Sequence, residues 1–498
     1  MNRFDWMSRW ADYSPDKVAI KEIDGNRQIT YRQLNNAANR LAARLTGEMG
    51  LKKGDRVAIL AENGLPQFVL FSAAQKTGLI LVPLNFRLTA REIGGLLDDC
   101  RPALIVVEAK FTNLIDCNTP GAKQQCWHYE SLRQFCETAA DQPFRFMSPA
   151  ELREDDPVFI LYTSGTTGFP KGALYTHRML FWNSVNTALR LNLTADDRTV
   201  TCLPLFHTGG WNVLSTPFLH HGAYFCLTRK FDPAEVLHLL DSEQLTLFMG
   251  VPTMLKLMAA DPGFAAARLD SLRYFIVGGE AMPLPLIETW HRKGVPIRQG
   301  YGLTEVGPNI TSLHQDDTIR KIGSIGMPNF YVDIRIVDDT GQEADVNQPG
   351  ELQLKGPMTT PGYWENPEAT ADSLQDGWFS TGDVVRQDPD GFLYVVDRKK
   401  NMFISGGENV YPVEVEKFLH THTDILDVAV IGVPDEKWGE TGKAFIVLRP
   451  GSALSAEEVW EFCKGKLAKF KIPGHIEFID ELPKGDTGKI DRQKLKGA

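Results

Sequence analysis

No stretch of this chain reaches the 18 or so consecutive apolar residues that a membrane-spanning helix needs. The most apolar segment, 68–86, is interrupted by Gln75 and Lys76. An excess of positive charge is also missing: 53 Lys and Arg stand against 63 Asp and Glu, a formal net charge of −10. Surfaces that neutralise nucleic-acid phosphates are built from clustered Lys and Arg, so no nucleic acid is expected as a partner. Cysteine is sparse. The seven residues Cys100, Cys117, Cys126, Cys136, Cys202, Cys226 and Cys463 have spacings that fit neither a zinc site nor a disulfide framework. Reduced structural thiols are expected. The opening MNRFDWMSRW lacks the apolar core of a signal peptide. Together these absences predict a soluble cytoplasmic protein with no transmembrane segment.

What is present is an ordinary globular composition, 43% hydrophobic and 23% charged, in a chain of 498 residues. That length exceeds what one core supports, so two or more domains are expected. Thr30 followed by Gln33, and Thr89 followed by Glu92, are capping boxes that open helices. Behind the first, Leu34, Ala37, Ala38, Leu41 and Leu45 recur at helical spacing. The short apolar runs 56–60, 80–84 and 104–107 read as buried strands, and the alternation predicts a parallel sheet covered by helices. The same cadence continues through 157–300, with strands near 158–162, 199–203, 246–250 and 273–277. From about 320 the texture turns to short strands and Gly/Pro turns. The last hundred residues alternate again, with helices at 413–420 and after Ser455 and strands near 427–433 and 443–448. The expected fold is α/β: a large N-terminal body of several subdomains, one of them β-rich, followed by a small mobile α+β lid domain.

The strand Val158-Phe159-Ile160-Leu161-Tyr162 runs directly into Thr163-Ser164-Gly165-Thr166-Thr167-Gly168-Phe169-Pro170-Lys171-Gly172. Polyphosphate binding demands such a turn. Glycines let backbone N–H groups approach the oxygens, hydroxyls donate further bonds, and lysine adds charge. It is not a Walker A loop, because Pro170 precedes the lysine and Gly172 follows it.

YTSGTTGFPKG resembles the signature loop of the adenylate-forming superfamily, which holds acyl-CoA synthetases, the adenylation domains of peptide synthetases and beetle luciferase. The family's other motifs follow in order: PLFH at 204–207, VGGE at 277–280, GYGLTE at 300–305, STGD at 380–383, DRKK at 397–400, SGGEN at 405–409 and PKGDTGK at 483–489. The resemblance spans nearly the whole chain. It implies a division at 398/399, with the AMP-binding and acyl sites before it and a C-terminal lid after it.

The resemblance also implies roles for particular residues. The first reaction would join a carboxylate to ATP, giving acyl-AMP and pyrophosphate. Thr163, Ser164, Gly165, Thr166, Thr167, Gly168 and Lys171 would hold the β- and γ-phosphates, and Glu305, with Thr167, would ligate Mg²⁺. Tyr301 would stack on adenine between Gly300 and Gly302, the turn Gly279-Glu280-Ala281 would run along its edge, and Thr304 would sit near the α-phosphate. Asp383 would accept from both ribose hydroxyls and Arg398 would donate to the ribose. Lys489 would be the catalytic cation, joined in the chemistry by Glu305, Lys171, Thr166 and His207. Thioester formation with coenzyme A would follow a rotation about Lys400. Gly406 and Gly407 would face the pantetheine arm, with Trp438 and Phe470 nearby. One departure touches the coenzyme A phosphate contacts: Pro473 is followed by Gly474 and His475, where many relatives carry a basic residue.

The acyl pocket is expected from His207, Trp211, Asn212, Gly278, Gly302, Val306, Gly307 and Pro308, with His207 as a gate and Gly302 and Gly307 leaving room for length. None of these is Arg or Lys, which favours a monocarboxylic acid. A medium- or long-chain fatty acid is the first expectation. The alternatives are an aryl acid, including the succinylbenzoate type, a carrier protein as thiol acceptor, and, of a different class, an inactive ATP-binding regulator. His220-His221 is rejected as a metal site because adjacent side chains point apart. A homodimer stays open.

Overall fold

The structure, a computed structural model, describes residues 3–115, 125–148, 151–163, 170–338, 340–405, 408–436, 438–484 and 490–496. The chain divides into two compact units: Met1–Ile334 with Leu354–Phe379, and Arg335–Gln353 with Ser380–Ala498.

In the first unit, local signals become local structure. Thr30 and Gln33 exchange the reciprocal capping bonds at the start of the helix Tyr31–Ala43, and Thr89 and Glu92 do the same for Ala90–Cys100. The apolar runs Arg56–Leu60, Ile80–Pro83 and Leu104–Val107 pair in parallel, and their side chains are almost entirely buried. Strands covered on both faces read as continuous apolar runs for this reason. Strand β1 (Pro157–Thr163) joins this sheet at Phe159, and β2 (Lys171–Thr176) folds back against it antiparallel, Thr163 opposite Lys171.

Helix α1 (His177–Leu191), capped by the Thr176 hydroxyl, follows directly, and the short α2 (Thr208–Asn212) comes after the PLFH segment. A second sheet runs β3 (Leu247–Gly250), β4 (Tyr274–Val277) and β5 (Ile297–Leu303) in parallel, then β6 (Gly307–Leu313) antiparallel to β5. The main core is aromatic. Phe68, Phe71, Phe159 and Trp211 are fully buried, with ring centroids 4.9–5.7 Å apart. Each such ring removes enough apolar surface from water to contribute about 2–3 kcal/mol.

In the second unit, β7 (Trp378–Gln387), which enters at Ser380, forms a hairpin with β8 (Leu393–Arg398). A second sheet is built on the long hairpin Ile425–Asp435 with Gly439–Leu448. The helices Pro412–Leu419 and Ala456–Cys463 supply core residues beneath it, the latter helix opened by the Ser455–Glu458 capping box. Residue 399 lies inside this unit, directly after β8.

Cys100, Cys136, Cys202, Cys226 and Cys463 are free and buried. Cys126 is disulfide-bonded, which corrects the expectation that all seven thiols are reduced. Among the described residues no helix is long and apolar enough to cross a membrane.

Candidate active site

The β1–β2 hairpin brings Thr163 and Lys171 side by side at the end where its two strands are connected. The intervening Ser164, Gly165, Thr166, Thr167 and Gly168 lie outside the described residues, as do Gly406, Gly407 and Lys489. Against the hairpin sits the 3₁₀ turn Thr304–Val306, which links β5 to β6. It presents Glu305, a carboxylate only 8% exposed. Burying such a charge is costly unless hydrogen bonds replace water. Here the Tyr363 hydroxyl donates to Glu305 Oε1 at 3.1 Å and the Thr163 hydroxyl to the same oxygen at 3.3 Å. The Thr360 amide fixes the turn by donating to the Glu305 carbonyl at 2.7 Å.

Lys171 Nζ lies 5.3 Å from the centre of the Tyr363 ring. Burial, reinforced by the neighbouring Glu305 charge, pushes the Tyr363 phenol well above its ordinary pKa, so it stays a proton donor. Glu305, Thr163 and Lys171 are thus gathered around a tyrosine that the motif reading did not select. Its one sequence signal is its place in the turn-rich stretch 359–364.

Strands β3, β4 and β5 are parallel, and their carboxyl ends open where ligands bind in such sheets. Gly278, Gly279, Glu280 and Ala281 leave β4 there, with Glu280 and Ala281 exposed. The Met282 amide donates to Gln299 Oε1 at 3.0 Å and ties this turn to β5. Gly300, half-buried Tyr301 and Gly302 occupy the end of β5, and Thr304 opens the 3₁₀ turn.

Two of the expected acyl-pocket glycines sit where the backbone packs closely. A Cβ on Gly302 would collide with the Pro308 backbone, which crosses the space that the glycine leaves. Gly307 has φ +79°, a left-handed conformation that other residues resist, and its free side faces Asn183 Oδ1 at 3.0 Å from an ideal Cβ. Both let β5 and β6 turn tightly around Glu305.

Half-buried His207 immediately precedes α2, its ring 5.0 Å from that of Phe206. Trp211 is wholly buried in the aromatic core and donates its indole N–H to the Leu205 carbonyl. Asn212 and Val306 are buried, and Pro308 is half-buried. The Asn212 carbonyl accepts from Asn183 Nδ2 at 2.7 Å, and its side chain accepts from the Thr216 hydroxyl at 3.0 Å.

In the second unit, Asp383 and Arg398 are register partners across the β7–β8 hairpin, joined Nε to Oδ1 at 2.5 Å. The Asp383 side chain is 3% exposed and that of Arg398 48% exposed. The Thr381 hydroxyl accepts from the Asp383 amide at 3.0 Å and fixes the bend at Gly382. Lys400 follows, its pKa lowered by burial and then by Arg398, with Asp383 opposing. Phe470 packs against the core of this unit. The Trp438 amide donates to Asp435 Oδ1 at 2.8 Å.

A family profile described as "AMP-binding enzyme" matches residues 7–364, and one described as "AMP-binding enzyme C-terminal domain" matches 414–489. The chain is 38% identical over 492 residues to a feruloyl-CoA synthase from an Amycolatopsis species, covering 99% of this chain and 97% of that protein. It is 36% identical over 503 residues to a long-chain-fatty-acid–CoA ligase of Mycobacterium tuberculosis, covering 100% and 98%. Among solved structures, the O-succinylbenzoate coenzyme A synthetase of Bacillus subtilis in complex with ATP and magnesium ion superposes with a TM-score of 0.85 at 32% identity, covering 99% of each chain.

Proposed function

The chain belongs to the AMP-binding enzyme family of adenylate-forming CoA ligases, and on that premise we propose that it activates a monocarboxylic acid with ATP and transfers the acyl group to coenzyme A. The observation that carries this reading is the gathering of Glu305, Thr163, Lys171 and Tyr363 at the connected end of the β1–β2 hairpin.

In the first half-reaction the acid's carboxylate oxygen attacks the α-phosphorus of ATP and pyrophosphate leaves. The reaction needs reactants held in line and charge neutralised on the phosphate oxygens. Lys171 supplies a cation and Thr163 a hydroxyl to the β- and γ-phosphates. Glu305 has the hard oxygen donor that Mg²⁺ prefers, beside the hydroxyl of Thr163, so the residues present fit that ion. When bound, Mg²⁺ neutralises phosphate charge. Tyr363 holds the Glu305 carboxylate in one orientation. Asp383 accepts from the ribose hydroxyls while Arg398, paired with it, holds that carboxylate in place. Lys489 completes the charge neutralisation at the α-phosphate. In the second half-reaction the coenzyme A sulfur attacks the acyl-AMP carbonyl and AMP leaves, after a turn of the C-terminal lid about Lys400. Gly406, Gly407, Trp438 and Phe470 line the thiol's approach, with His207 as gate.

No residue assigned to the acyl pocket carries a fixed charge. The Pro308 backbone and Asn183 occupy the Cβ positions of Gly302 and Gly307, so these glycines give no argument for a long alkyl chain, and an aryl acid is the substrate we propose. The relative named for feruloyl-CoA supports the same choice. The test is ATP–pyrophosphate exchange followed by coenzyme-A-dependent AMP release across acetate to palmitate, benzoate, cinnamate and a succinylated aryl acid. Exchange without a thioester would transfer the thiol role to a carrier protein, and no exchange with any acid would remove the ligase reading. Gly407→Leu should block thioester formation and spare exchange.

A further inference from the structure

The β7–β8 hairpin and the lid that follows it lie in one compact unit, yet their strands belong to two separate sheets. The chain passes from one to the other through the 3₁₀ turn Lys399–Asn401, which contains Lys400. Asp397, the last residue but one of β8, stands at this crossing and is only 2% exposed.

A carboxylate so far from water needs hydrogen bonds in its place. Three donors supply them. Oδ1 accepts from the Arg398 amide at 2.6 Å and from Asn401 Nδ2 at 3.1 Å, and Oδ2 accepts from the Val413 amide at 2.8 Å. Asn401 and Val413 both lie beyond Lys400.

Val413 is the second residue of the helix Pro412–Leu419, and the first amides of a helix have no partner within it. Pro412 has no amide hydrogen to offer, and Tyr411, which precedes the helix, supplies no capping side chain. The cap comes instead from Asp397, 16 residues earlier in the chain. Its negative charge also complements the positive end of the helix dipole. The helix itself belongs to the lid, because Val415 and Leu419 share a core with Phe403, Val428 and Ile446. Wherever the lid goes, Val413 goes with it. A turn about Lys400 therefore takes Val413 away from Asp397 and leaves a buried carboxylate short of donors.

We propose that Asp397 is a positioning residue that latches the lid: it caps the helix Pro412–Leu419 from the other side of the hinge, and the lid turns only when that cap is released. This rests on the ligase reading above and on its turn about Lys400. The strength of the latch then sets how the chain divides between the present conformation and the turned one, and so the balance of the two half-reactions.

Asp397→Asn keeps the shape and sets an amide N–H₂ against one of the donors. The two half-reactions are read separately, the first as ATP–pyrophosphate exchange and the second as single-turnover conversion of preformed acyl-AMP to the thioester. The expected result is a change of about 10-fold or more in the ratio of the two rates, one falling while the other holds or rises, as loss of a hydrogen bond to a charged group allows. Trypsin cutting after Arg398, Lys399 or Lys400, measured without substrates, should speed up by about the same factor, because cleavage follows the population of the opened hinge. Asn401→Ala removes one donor and leaves the cap, and should move both readouts in the same direction by less. Equal loss in both half-reactions, or an unchanged ratio with unchanged cleavage, would reduce Asp397 to a structural residue and overturn the latch while the ligase reading stands. Wild-type protein inert in both half-reactions would remove the ligase reading and the latch together.

Discussion

Glu305 and Asp383 are both nearly buried carboxylates, one on the turn after β5 and the other within β7, and their hydrogen-bonding partners differ in charge. Glu305 is held by the hydroxyls of Tyr363 and Thr163, donors with no charge of their own. Asp383 is held by the Arg398 guanidinium. Neutral donors orient a carboxylate and leave its negative charge to act on a cation. A guanidinium offsets the charge and leaves the remaining lone pairs to accept from neutral hydroxyls. On the function proposed above, the same side-chain chemistry, differently partnered, would serve a cation in one unit and accept from hydroxyls in the other.

The sharpest way to break this contrast is to remove charge and keep shape. Glu305→Gln should lower the rate of ATP–pyrophosphate exchange about 100-fold, as loss of an electrostatic group acting on developing charge does. Retained exchange at near wild-type rate would take Glu305 out of the chemistry. Asp383→Asn should act mainly on affinity, raising the KM for ATP about 10-fold, the cost of about one charged hydrogen bond. Because Arg398 is 48% exposed, water can solvate it once the carboxylate is gone, and the melting temperature should change little. A kcat loss matching that of Glu305→Gln would erase the distinction between the two carboxylates. Tyr363→Phe removes one neutral donor and should cost about 5–10-fold in exchange rate. Loss of Mg²⁺ affinity, read from the metal-concentration dependence, should accompany it.

The smallest expected effect concerns acid sensitivity in the first unit. Burial pushes the pKa of His177 down to about 3 and that of His220 also to about 3, against an ordinary value of 6.5. His177 stacks on Phe4 at 4.6 Å and His220 on Trp6 at 4.3 Å. Both are neutral when folded, while the unfolded chain takes up protons below about 6.5. Stability should therefore be complete above that pH and be lost progressively as pH falls towards 3. His177→Phe should flatten the fall in melting temperature between pH 7 and pH 5, by calorimetry. An unchanged slope would show that other groups set the acid response.

What could be read in the sequence is what short separations encode. The three capping boxes at Thr30, Thr89 and Ser455 each need only four adjacent residues, and each forms in the structure. Buried strands announce themselves as apolar runs. The expected site residues Thr163, Lys171 and Glu305 came from an ordered set of motifs, and they meet around one tyrosine. That tyrosine could not be found in the same way. Tyr363 lies 58 residues from Glu305, and its neighbours 359–364 read as an ordinary turn. The surroundings of Gly302 were hidden for a related reason. Sequence shows that a side chain is absent, and only the fold shows that the Pro308 backbone occupies the space.

The pairing of Thr163 opposite Lys171 has one more consequence. Side chains along a strand alternate between faces, so which face Lys171 occupies is decided by parity. Adding or deleting residues within 164–169 should alter the loop while leaving Lys171 on the correct side, provided the ladder keeps its register. Deleting a single residue inside β2 would turn Lys171 away from Tyr363 even with every residue of the loop retained. Part of this site is therefore written as an even or odd number, which substitution of any one residue leaves unchanged.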